Sequence, residues 1–249
     1  MMNDAGIRAV ERVIRYMYEN LGEEITIDDM ARTAMFSKFH FSRIFHDVTG
    51  ISPGRFLSAI RLQAAKRLLI STSLTVTDIC YRAGYTSVGT FSSRFAAVVG
   101  IPPTAYREGR GYMSQLRVNG RRNNWGTCSG MIRGQVTASS AEAAGLIFIG
   151  VFPDPIIQGQ PIRYTVLRDA GSYVLDDVPQ GTWYVLGHAF ARGDSVILRD
   201  PANDDRPPSV ASHGPITVRP DMVTRHVDVR MRPMRVTDPP MLLALLDVA

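Results

Sequence analysis

The 249-residue chain predicts two domains of different class: an all-α domain built from two helix-turn-helix units, followed by an all-β sandwich domain. Three observations carry this. Apolar residues recur at helical spacing through residues 7–107, one unit within that stretch is repeated at a shift of about fifty, and from Met131 onward the pattern changes to short alternating runs cut by turn residues. The expected boundaries are 1–108 for the helical domain, 109–129 for a basic linker rich in glycine and asparagine, and 130–249 for the β domain.

Ile7, Val10, Ile14, Met17, Tyr18 and Leu21 share one face of a first helix that Gly22 stops. A second long helix covers residues 53–70. Ser52 is its N-cap, Pro53 suits a first turn where no amide needs a partner, and Phe56, Leu57, Ile60, Ala64 and Leu68 form its apolar stripe.

Between and after these helices lies the repeat. Thr26, Ile27, Asp29, Met30, Ala31, Ala34 and Phe36 fall on Thr75, Val76, Asp78, Ile79, Cys80, Ala83 and Tyr85 at a shift of 49. After a one-residue insertion, Phe41, Ser42, Phe45, Val48, Gly50, Ile51 and Pro53 fall on Phe91, Ser92, Phe95, Val98, Gly100, Ile101 and Pro103 at a shift of 50. Each copy opens with a Thr-x-x-Asp capping signature and continues as a short helix holding a small residue, Ala31 or Cys80. It then turns and enters a second helix with Phe at i and i+4, and Gly84 suits the second of the two turns. Solenoids also repeat helices, but they need about three copies to bury a continuous core, and here there are two.

The expected strands are residues 131–137, 146–152, 162–167, 172–175, 182–191, 216–218 and 225–231, separated by turn clusters such as Pro153-Asp154-Pro155 and Pro179-Gln180-Gly181. About seven short strands suggest a sandwich. The stretch 200–208 reads as an exposed proline-rich loop. The apolar tail at 241–248 reads as a segment that docks on the sandwich or on another subunit.

Charge is distributed unevenly. Residues 38–110 carry ten Lys or Arg against three acids, whereas residues 1–37 carry four Arg against seven acids. A basic block in a helical region implies a polyanionic partner. No run approaches the 18 apolar residues of a membrane span, and the N-terminus lacks the pattern of a secretory signal, so a cytoplasmic protein without membrane contact is expected. The two cysteines, Cys80 and Cys128, form no metal-binding spacing, and the five histidines are scattered. With no nucleophile elbow and no phosphate-binding loop, neither a cofactor nor an enzyme activity is expected.

Taken together, Ser37-Lys38-Phe39-His40-Phe41-Ser42-Arg43-Ile44-Phe45, the connecting Arg61-Leu62-Gln63-Ala64-Ala65-Lys66-Arg67-Leu68-Leu69, Ile79-Cys80-Tyr81-Arg82-Ala83-Gly84-Tyr85, Phe91-Ser92-Ser93-Arg94-Phe95 and the closing Gly100-Ile101-Pro102-Pro103-Thr104-Ala105-Tyr106-Arg107 resemble the DNA-binding domain of the AraC/XylS family of bacterial regulators. The resemblance implies double-stranded DNA as partner, with the second helix of each unit in the major groove. Only outward residues near the N-terminal end of such a helix reach base edges. These are Lys38, Phe39, His40, Ser42 and Arg43 in the first unit, and Ser87, Val88, Gly89, Thr90, Ser93 and Arg94 in the second. Val88 and Gly89 offer no side-chain hydrogen bond to a base, and Ser93 stands where the first copy has Arg43. The first unit is therefore expected to supply more of the base specificity, and the second to position the backbone.

The segment Gly171-Ser172-Tyr173-Val174-Leu175-Asp176-Asp177-Val178-Pro179-Gln180-Gly181-Thr182-Trp183-Tyr184-Val185 is similar to carboxypeptidase-regulatory-like and transthyretin-like β-sandwiches. Family logic makes the non-DNA half an effector sensor or a dimerisation module. Trp183, Tyr184, His188 and Arg192 are its ligand candidates, against the plainer reading that they are ordinary sheet packing, with Trp183 in the core. Some relatives carry methyl-accepting cysteines followed by His-Arg; here Cys128 is followed by Ser129. RNA polymerase and a small-molecule effector are the further candidate partners, and both a monomer and a homodimer are compatible with the sequence. The alternative is a constitutive DNA-binding protein whose sandwich serves only structure or protein contacts.

Overall fold

The computed structural model describes residues 4–113, 129–138, 145–191, 208–219 and 224–246. In chain order the elements are α1 (Asp4–Glu19), α2 (Ile27–Ala34), α3 (Lys38–Thr49), α4 (Pro53–Ser71), α5 (Val76–Arg82), α6 (Val88–Val99), α7 (Pro103–Glu108), β1 (Tyr112–Met113), β2 (Ser129–Ala138), β3 (Gly145–Phe152), β4 (Arg163–Leu167), β5 (Ser172–Pro179), β6 (Gly181–Ala191), β7 (Ser209–Val218), β8 (Thr224–His226), β9 (Val229–Pro233) and β10 (Leu245–Leu246). Contacts divide the chain into Met1–Ser114 with Arg235–Ala249, and Gln115–Met234.

In the helical unit the expected caps are present. Ser52 accepts from the Arg55 amide at the start of α4, and Pro53 occupies the first turn. Phe41, Phe45 and Phe56 are fully buried and meet edge to face, with centroids 5.5 Å apart in each pair. Phe91, Phe95 and Tyr106 repeat the arrangement at 5.7 and 5.5 Å. The duplication thus reaches three residues beyond Pro103, to an aromatic anchor on the helix that follows each unit. Edge-to-face rings contribute about 0.5–1.5 kcal/mol per pair beyond the area they bury.

Two arginines of the basic block are consumed internally. Arg61 on α4 donates through Nε to Leu21 O at 3.1 Å and through Nη2 to Glu23 O, pinning the loop before the first unit. Arg107 on α7 donates to Leu69 O at 3.1 Å and to Leu74 O, pinning the loop before the second. Such backbone carbonyls at helix ends need donors, and each unit receives them from the helix that follows it.

The strand unit has each of the seven expected runs, with three changes of extent. The run 216–218 begins seven residues earlier, at Ser209, where β7 pairs with β6 and β9 although Ala211 alone of residues 209–215 is buried, so no alternation marks the strand. β5 continues past Leu175 to Pro179 because Asp177 adopts a left-handed φ of 54° and the register against β2 shifts between Gly130 and Ile132. The bulge moves the next inward residue from position 177 to Val178, so strict alternation ends while the strand goes on. The run 225–231 divides into β8 and β9, both parallel to β2. At the break the Val227 amide donates to Arg133 O, the Gln135 amide donates to Asp228 Oδ1, and the Val227 carbonyl lies where a Cβ on Gly134 would stand.

The strands follow one hydrogen-bonded path, β4-β3-β6-β7-β9-β2-β5, with β8 also on β2. β4 and β5, at the two ends of the path, lie side by side. The sheet therefore curls nearly into a barrel around Ile132, Ile149, Val151, Leu175, Trp183, Val185 and Val229. Fully burying each such side chain contributes about 1.5–3 kcal/mol.

The tail departs from expectation. Leu242, Leu243 and Ala244 are buried, the Ala244 amide donates to Val99 O at 3.0 Å, and β10 pairs in parallel with β1. The segment completes the helical unit rather than docking on the β domain or a second subunit.

Candidate nucleic-acid interface

Each helix-turn-helix starts from a reciprocal cap. In the first, the Asp29 amide donates to Thr26 Oγ1 at 3.2 Å and the Thr26 amide donates to Asp29 Oδ2 at 3.0 Å. In the second, the Asp78 amide donates to Thr75 Oγ1 at 3.1 Å and the Thr75 amide to Asp78 Oδ2 at 3.2 Å. The hydroxyl of Thr26 or Thr75 holds its aspartate below the ordinary carboxylate pKa of 3.8, aided by the same residue's backbone amide.

Both turns pass through a left-handed residue, Met35 at φ 62° and Gly84 at φ 75°. The second helix of each unit follows. Ser37 caps α3 by accepting from the His40 amide, and Ser87 caps α6 by accepting from the Thr90 amide, both at 3.4 Å. With Phe41 and Phe45, or Phe91 and Phe95, turned inward, the opposite side of each helix faces solvent. The N-terminal turn of such a helix presents amides and a positive dipole end suited to phosphate.

On α3, Lys38, Phe39, His40 and Arg43 are exposed and Ser42 is half-buried. Phe39 is 87% exposed, and Met35, four residues earlier in the turn, is 81% exposed. Arg43 Nη2 lies 3.4 Å from His40 Nδ1, and His40 stacks edge-on against Phe36 at 4.9 Å. Lys38 is partly neutralised by Asp28 at 2.9 Å. On α6, Ser87, Gly89, Thr90, Ser93 and Arg94 are exposed and Val88 is half-buried.

Tyr81 and Arg82 on α5, which are not among the residues expected from the sequence to contact DNA, are exposed, Tyr81 at 56%. The first helix of a helix-turn-helix crosses the DNA backbone, so exposed polar residues there are phosphate-contact candidates. The signal available was position: Tyr81 falls on Arg32 at the shift of 49.

The proposed ligand residues of the strand unit are not brought together. Trp183 belongs to the enclosed core, and its indole donates to Pro179 O at 2.8 Å. Tyr184 and His188 alternate onto the other face of β6, and Arg192 lies outside the described residues. Among the described residues no cluster of His, Cys, Asp or Glu could hold a metal ion, and no helix is long and apolar enough to cross a membrane.

A family described as "Helix-turn-helix domain" matches residues 30–109. The transcriptional activator AarP of Providencia stuartii is 30% identical over 98 residues, 39% of this chain and 73% of that protein. The transcriptional regulator Rv1931c of Mycobacterium tuberculosis is 40% identical over 82 residues, which span 33% of this chain and 32% of that protein. Among solved structures, the DNA-binding domain of AdpA in complex with a target DNA is 29% identical, covering 40% of this chain and 90% of that one with a TM-score of 0.39. On the strength of the matched family and the activator covered over most of its length, the chain belongs to the AraC family of helix-turn-helix transcription regulators.

Proposed function

We propose that the chain is a sequence-specific regulator that places α3 and α6 in successive major-groove segments of one duplex, under the control of the strand unit. The observation that carries this reading is the duplicated recognition helix, each copy capped by serine and buried along its phenylalanine stripe, with its N-terminal turn in solvent. At about 1.5 Å per residue, the 19-residue linking helix α4 is about 28 Å long, comparable with the roughly 34 Å between groove segments on one face.

Base reading is concentrated in the first unit. Arg43 has the bidentate geometry that guanine accepts, and Phe39 suits a thymine methyl group. The second unit, with Thr90, Ser93 and Arg94 around Gly89, grips the backbone. The strand unit, a sheet curled around its own core, acts as an effector or dimerisation module.

The test selects preferred sites from random duplexes with the wild-type chain, then compares two variants on the selected site and on unrelated DNA. Arg43→Ala lowers discrimination by about 1–3 kcal/mol, whereas Arg94→Ala weakens both complexes about equally. Equal losses of discrimination in the two variants would overturn the division of labour, and the absence of any preferred site would overturn the reading itself.

A further inference from the structure

Lys66 is a member of the basic block that cannot reach DNA. It lies on α4, is 5% exposed, and donates from Nζ to Met241 O at 3.1 Å and Leu243 O at 3.0 Å, with the Tyr106 ring centroid 5.8 Å away. A buried ammonium is tolerated only where hydrogen bonds replace its water, and both acceptors here come from the C-terminal segment. That segment is fastened at two further points. The Ala244 amide donates to the carbonyl of Val99, the last residue of α6, and β10 pairs with β1 beyond α7. The helix end so engaged has orphan carbonyls that need donors.

The two units differ in how their recognition helices are braced. In the first, the framing helix α1 packs along both α2 and α3. In the second, α4 packs along α5 but makes no comparable approach to α6. The segment bridges that gap, holding α4 through Lys66 and α6 through Val99. It follows the strand unit in the chain: the Met234 amide donates to Pro208 O within that unit, and the amide of the next residue, Arg235, donates to Asp238 Oδ2 in the turn that begins the segment.

We propose that residues 235–246 are a positioning strap for the second recognition helix, seated on Lys66 and Val99, which fixes α6 against the linking helix and makes its grip on DNA depend on a segment that follows the strands in the chain. This rests on the DNA-binding reading above. Among the described residues the strap has no counterpart in the first unit, so its loss acts on one half-site.

The experiment uses the full chain, Lys66→Met, and a chain stopped after Met234. Binding is measured on a duplex carrying both selected half-sites and on one carrying only the half-site read by α3, and amide hydrogen exchange is followed in the free proteins. The expected result is a loss of about tenfold or more on the double site with little change on the single one. In exchange, amides of α6 and α7 lose protection while those of α2 and α3 keep it. Unchanged binding, equal losses on both duplexes, or equal loss of protection in both units overturns the strap. Should the wild-type chain select no site, the DNA-binding reading fails, and the exchange comparison still decides whether the strap holds α6.

Discussion

At the turn between its two helices the first unit carries Met35, and forty-nine residues later the second carries Gly84. The backbone is left-handed at both. Met35 extends into water, whereas a Cβ at Gly84 would meet the Leu21 carbonyl and the Arg61 guanidinium. One duplicated scaffold therefore sits in two environments: the first turn is open, and the second is pressed against the loop and helix that belong to the first unit. The same divergence runs along the recognition helices, where Arg43 faces solvent in one copy and Ser93 in the other.

The largest effect that could break this comparison is at the turns. Gly84→Ala adds both a left-handed penalty and overpacking, and should destabilise the chain by about 2–4 kcal/mol in urea unfolding. Met35→Gly relieves the same backbone strain but loosens the unfolded chain, for a net change within about 1 kcal/mol. Similar costs for the two substitutions would show that the turns are equivalent after all. Next comes the reading face. Ser93→Arg supplies α6 with the arginine that α3 has, and should add about 1–3 kcal/mol of discrimination in the second half-site, seen as new base preferences in site selection. No new preference would mean that α6 does not present that face to bases.

The strap yields a pH test that separates the units further. Burial pulls the Lys66 ammonium from its ordinary 10.5 down to about 7. Between those values the unfolded chain binds more protons than the folded one, so stability rises with pH, by at most about 1.4 kcal/mol per unit. Tyr106, the titratable side chain facing the amine, is pushed above its ordinary 10.0 by burial and stays neutral there. Wild type should gain stability on Lys66→Met between pH 7 and 9, and a constant difference would remove the buried amine from the account. The smallest effects concern what the units share. Thr26→Ala and Thr75→Ala should each cost about 1 kcal/mol, measured by thermal unfolding. Because Asp29 and Asp78 titrate below 3.8, the cap contribution is complete above that pH and lost as acid protonates them. A large inequality between the two caps would count against a common scaffold.

Much of the helical unit was legible because its signals are local. Caps, phenylalanine pairs and the repeat are written within a few residues of one another, and each is repeated. The charge count was less informative, since a sequence does not distinguish an arginine at a phosphate from Arg61 or Arg107 spent on carbonyls, or from the buried Lys66. The strands were legible as runs, but not where a bulge at Asp177 reset the alternation. Trp183, Tyr184 and His188 looked like one site because they are near in sequence, yet alternation sends Trp183 to one face and the other two to the opposite one.

By itself the sequence determined the class of each half and the two helix-turn-helix units, because capping, periodicity and repetition act over short separations. Only the tertiary structure decided that the C-terminal segment returns to the helical unit and that Lys66 is its anchor. Backbone carbonyls at positions 241 and 243 become acceptors for an amine some 175 residues away, and main-chain hydrogen bonds of that kind leave no mark on side-chain pattern.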